Sequence, residues 1–145
     1  MDPLKDGKRL ILNKWIKRLS ALKSQKKVVI LEGQFNPQFA VDACKKYHIS
    51  HYILILIHAD QKTREHRLIS NRNQPDLANA DMNQWAEFLN RKIHELKGRV
   101  IDTSNSDVQS NLDEIINIIK EHLNLRSRDP YLFLNAISTT PLGSN

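Results

Sequence analysis

Cysteine occurs once, at Cys44, so no intramolecular disulfide framework exists and a reducing compartment is the simpler expectation. Glycine is scarce as well. Gly7, Gly33, Gly98 and Gly143 are the full set, and none of them begins GxxxxGK[ST], the loop whose amides and lysine cradle phosphates at a helix N-terminus. The longest apolar run, Ile53 to Ile57, is far too short to span a bilayer, and MDPLKDGKRL lacks the charged-then-apolar order of a secretory signal. A soluble, cytoplasmic protein with no membrane partner is expected. The histidines at 48, 51, 58, 66, 94 and 122 form no HExxH, and with one cysteine no paired-Cys spacing exists, which weighs against zinc. A serine or cysteine in an elbow motif is missing too, so a hydrolase triad has no support. The nine aromatics fall mostly on core-facing stripes and offer no stacking platform, which weighs against nucleic acid.

What remains has ordinary globular composition: 145 residues, 40% hydrophobic and 26% charged, the size of one domain. A net charge of +6, from 22 basic and 16 acidic residues, favours anionic partners. The bases are scattered over helices, as on a solvated surface.

From Lys8 to Lys23, Leu12, Trp15, Ile16, Leu19 and Leu22 recur at helical spacing with Lys14, Lys17, Arg18 and Lys23 opposite, which predicts an amphipathic core helix. A calmodulin-target or membrane-surface peptide has a similar pattern. The stretch KVVILEGQFN, Lys27 to Asn36, organises the chain. Its apolar, mainly β-branched run Val28 to Leu31 ends in a carboxylate, a glycine and an amide, as a buried parallel strand does at the sheet edge where α/β proteins bind ligands. Asn36-Pro37 then starts a helix whose apolar face runs through Phe39, Ala40, Ala43, Cys44 and Tyr47, so Cys44 is read as a small core residue.

His51 to His58 is apolar at consecutive positions and predicts a strand covered on both faces. Asp60 is a candidate cap for the next helix, where Arg64 and Arg67 share a face and Arg72 follows, so that three guanidiniums could converge on one anion. NRNQPDLANAD reads as a polar loop. Asp81 and Gln84 have capping-box spacing before a helix that Gly98 ends. Arg99 to Thr103 predicts a short strand, and Ser106 with Gln109 a second capping box before a final helix through Leu123. The apolar stretch Tyr131 to Ile137 is expected to dock on the body, with Ser138 to Asn145 frayed.

This run of crossover units implies an α/β fold with a three-layered parallel sheet. With LEG at Leu31 to Gly33, REHRLISNR at Arg64 to Arg72 and IDTS at Ile101 to Ser104, the chain resembles the carboxyl-terminal two thirds of the P-loop small-molecule and nucleotide kinases, over Leu10 to Leu123. The resemblance implies an incomplete sheet of P-loop-kinase type, its first strand and P-loop absent, in a domain 1–124. A lid-like segment 60–81 and a tail 125–145 complete the expected organisation. It also implies roles. Glu32 would act near Mg²⁺ or on the acceptor hydroxyl; Arg64, Arg67 and Arg72 would neutralise the transferring phosphoryl group; Thr103, Ser104, Asn105 and Ser106 would border the adenine of ATP; Gln34 and Asn36 would contact the acceptor. Asn36-Pro37-Gln38 supplies no arginine where nucleoside monophosphate kinases carry Pro-Arg, which weighs against a monophosphate acceptor.

The expectation is a truncated or degenerate ATP-dependent small-molecule kinase, inactive as this chain, with ATP and Mg²⁺ as cofactors only of a full-length enzyme. A strand supplied by another chain is a third explanation, and homo-oligomerisation or strand exchange is expected from incomplete sheet edges. The alternative is a non-catalytic interaction protein that binds an anionic partner through the basic lid helix.

Overall fold

The computed structural model describes residues 3–22 and 28–124, which fall into two compact units, one within Met1–His51 and the other Tyr52–Leu123. The tail 125–145, with its expected docking segment, lies outside the described residues, as does the end of the expected first helix at Lys23.

In the first unit, α1 (Pro3–Ser20) packs against α2 (Pro37–Lys46). The helical stripe works as expected in part. Leu12 and Ile16 of α1 and Ala40, Ala43 and Cys44 of α2 are buried, and burial pushes the Cys44 thiol up from its ordinary value. The Arg9 guanidinium lies 5.5 Å over the Phe39 ring. Asn36 caps α2 by accepting from the Gln38 amide at 3.0 Å, with Pro37 in the first turn where its missing N–H costs nothing. Beyond α2, the His48 amide donates to Lys45 O and the Ile49 amide to Cys44 O, a Schellman ending with His48 at φ 54°.

Val28 to Leu31 is not a strand. The segment is irregular, and Val29 and Ile30 are exposed, Ile30 by 69%. β-branched composition favours a pleated, half-buried surface but creates none by itself. Among the described residues the segment joins no ladder, so the propensity goes unused.

The second unit runs β1 (Ile55–His58), α3 (Gln61–His66), a π-turn at Arg67–Asn71, a 3₁₀ turn at Pro75–Leu77, α4 (Ala80–Glu95), β2 (Arg99–Asp102) and α5 (Val108–Asn124). Among the described residues the sheet has two strands, β1 and β2, parallel, with Ile55 opposite Arg99 and His58 opposite Asp102. The chain is thus mixed α/β and mainly helical, with one small parallel sheet joined by a helical crossover, as parallel strands require. The strand is shorter than His51 to His58, and it is not covered on both faces. Ile101 is fully buried, whereas its register partner Ile57 is 55% exposed, so the cover over that face reaches β2 and stops short of β1.

Helix boundaries follow side-chain oxygens, though not always the ones expected. Asp60 caps α3, accepting from the Thr63 amide at 2.7 Å. Asn79, rather than Asp81, caps α4 through the Met82 amide at 3.0 Å. Asp107, rather than Ser106, accepts from the Ser110 amide at 2.8 Å at the start of α5, and Ser106 instead bonds Asn111 Oδ1 at 2.6 Å. In both cases several polar residues precede the helix at nearly equivalent spacing, and the entry angle of the chain selects among them.

The end of α4 is a Schellman motif in which Lys97 holds the left-handed position at φ 56°. Its amide donates to His94 O at 3.0 Å and the Gly98 amide to Ile93 O at 2.8 Å. Gly98 serves close approach: a Cβ there would stand 2.7 Å from Ile93 Cδ1 and 3.0 Å from Leu54 O, the carbonyl that accepts from the Arg99 amide at 2.9 Å.

Candidate functional site

The polar groups of the second unit gather at the carboxyl ends of β1 and β2. The Thr103 amide and the Thr103 hydroxyl both donate to His58 O, at 2.8 and 2.9 Å, which extends the ladder by a side chain. Thr103 is itself buried, 8% exposed. Arg67 reaches it with both terminal nitrogens, Nη1 donating to Thr103 Oγ1 at 2.8 Å and Nη2 to Thr103 O at 2.6 Å. One hydroxyl therefore donates to β1 and accepts from the π-turn.

A second link ties the two loops together. The Asp60 amide donates to Ser104 Oγ at 2.8 Å, and Ser104 donates through its hydroxyl and its amide to Asp102 Oδ1. The Ser104 donors hold the Asp102 carboxyl below its ordinary value, and the Thr63 amide does the same for Asp60.

Arg64 faces the other way. Its guanidinium donates to Ala59 O and to Asn83 Oδ1, the latter at 2.9 Å, and the Asn83 amide donates to Glu65 Oε1 at 3.0 Å. Glu65 also accepts from Gln61, and these two amides hold its carboxyl below the usual range, Asn83 having the larger effect. Asn83 thus latches α3 to the first turn of α4, across the loop between them.

The three arginines do not share one target. Arg64 and Arg67 spend terminal donors on their own chain, and the π-turn, closed by the Arg72 amide on Arg67 O at 3.1 Å, carries Arg72 out to an exposed position. Among the described residues Arg72 makes no side-chain hydrogen bond or ion pair. Of the expected adenine-bordering loop, Thr103 and Ser104 are committed as above, Ser106 pairs with Asn111, and Asn105 is exposed. Glu32, Gln34 and Asn36 belong to the first unit, where Glu32 and Gln34 are exposed and Asn36 is the α2 cap. The residue sequence reasoning missed is Asn83, whereas Asp102 lies within the IDTS stretch singled out above. Asn83 carries no local signal, because its partners lie 18 and 19 positions away.

These residues do not fit a Mg²⁺-triphosphate by themselves. A cradle of successive amides with a lysine is missing from the sequence, and the guanidiniums nearest the strand ends are turned onto Ala59, Asn83 and Thr103. Comparison with family models, with curated proteins and with solved structures found no match to this chain.

Proposed function

We propose that this chain is a P-loop-kinase-like domain, with a sheet of that three-layered type left incomplete, related to ATP-dependent small-molecule kinases and without turnover of its own. The single observation that carries the reading is the bidentate bond from Arg67, in the helical crossover after β1, to Thr103, in the loop after β2. It supports a polar edge where ligands of open α/β folds sit, with cations drawn to it from the lid side. Phosphoryl transfer rests on cations and amides arranged around dispersed charge, and here only the arginine side of that arrangement is found in the sequence.

The test is titration of the chain with Mg-ATP and with adenosine, followed by calorimetry and by amide chemical shifts. Adenosine is expected to shift Ser104, Asn105 and Ser106 at high concentration, with ATP binding no tighter than roughly millimolar. Micromolar Mg-ATP affinity would sink the loss of function, and silence of the loop toward both ligands would sink the kinship.

Self-association belongs to the same reading. Among the described residues each strand has one hydrogen-bonded neighbour, so β1 and β2 each leave an outer backbone edge available for pairing. Light scattering is expected to show dimers; a clean monomer across micromolar concentrations counts against it.

The second reading, an interaction protein for an anionic partner, is favoured by one observation, the exposure of Arg72. Arg72→Ala leaves Arg64 and Arg67 in place, so it removes such binding without loosening the fold.

A further inference from the structure

The outward side of α1 has properties that its packing on α2 leaves unused. Leu12 and Ile16 are buried, whereas Leu10, Ile11 and Trp15 are 69%, 61% and 48% exposed. At about 100° per residue, Ile11 and Trp15 share one side of the helix with Leu10 flanking them, and Lys8, Lys14, Lys17 and Arg18 are interleaved. All four basic residues are exposed, and no Asp or Glu occurs between Gly7 and Ser20. The Arg18 guanidinium lies 5.2 Å over the Trp15 ring, so cation and ring present one surface.

We infer that this face of α1 lies flat on an anionic lipid surface. A helix with Trp, Leu and Ile among lysines and arginines gains both from burying its apolar groups at the headgroup boundary and from the negative surface potential. Charge complementarity selects the occupant: a second copy would set this basic face against its own like charges. A protein that wraps a target helix from all sides meets α2 on the opposite side, whereas a planar surface needs only the side that is exposed.

The experiment is co-sedimentation of the full chain with phosphatidylcholine vesicles and with vesicles holding phosphatidylserine at about one lipid in three. Partition onto the anionic vesicles only, weakening with salt, is the expected result. Lys14→Gln with Lys17→Gln lowers it by about tenfold or more, at about fivefold per cation removed. Ile11→Ser lowers it severalfold, and Lys62→Gln on α3 leaves it unchanged. The altered positions are exposed, and an unchanged thermal transition of each variant shows that the fold is kept. Failure to bind anionic vesicles at low salt overturns the inference, as does equal binding by the α1 variants. Capture by polyglutamate without vesicle binding also overturns it, and assigns the face to an acidic protein instead.

Discussion

Arg67 and Thr103 are 36 positions apart, yet one guanidinium holds both the hydroxyl and the carbonyl of that threonine. The same hydroxyl donates to His58 O, so a single side chain fastens β2 to β1 and both to the π-turn. Thr103→Val keeps the shape and removes the hydroxyl, leaving one Arg67 nitrogen without its acceptor in a partly buried place. A loss of about 1–3 kcal/mol in urea unfolding is expected, and Arg67→Lys, which cannot reproduce the fork, loses a similar amount.

Asn83→Ala breaks the latch between α3 and α4. Since the Asn83 amide is the leading cause of the lowered Glu65 pKa, the Glu65 titration followed by NMR moves up toward its ordinary 4.5. Amide exchange in the loop 72–79 is expected to quicken in the same variant. An unmoved Glu65 titration would show that the latch does not persist in solution.

Gly98→Ala places a methyl 2.7 Å from two carbons of buried Ile93 and 3.0 Å from Leu54 O, just before β1, with no room to yield on the backbone side. It is expected to cost about 1–3 kcal/mol in chemical unfolding.

Lys97→Gly goes in the opposite direction. Lys97 holds the left-handed conformation at φ 56°, which an L side chain pays for sterically and glycine does not. A gain of about 0.5–1 kcal/mol is expected, less what the freer glycine costs in the unfolded chain. Circular dichroism melts of both neighbours, the 97 and 98 variants, separate the two effects.

Acid sensitivity follows from Asp60, Asp102 and Asp107, each held below its ordinary 3.8 by hydrogen-bond donors, from Thr63, Ser104 and Ser110 respectively. A lowered folded-state pKa contributes stability that is fully present above the unfolded value and is lost as pH falls through the folded one. The melting temperature is therefore expected to hold to about pH 5 and to decline below about pH 4. Ser104→Ala removes the Asp102 share and makes the decline shallower.

Local chemistry determined a good deal of this protein by sequence alone. Asn36-Pro37 and Asp60 start helices where their side chains can cap amides, Cys44 falls on a buried stripe, and Arg99 to Asp102 forms a strand, because each depends on residues within a turn or on a short apolar run. Neighbours far along the chain decided the rest. Val28 to Leu31 has strand composition but no ladder, Ile57 is apolar yet half exposed, and of three arginines at helical spacing two turn onto separate partners while Arg72 stays exposed. Spacing tells which side chains leave one face of a helix. Whether a carbonyl, an amide or another strand waits there is set by the packing of elements that meet only when the chain is folded.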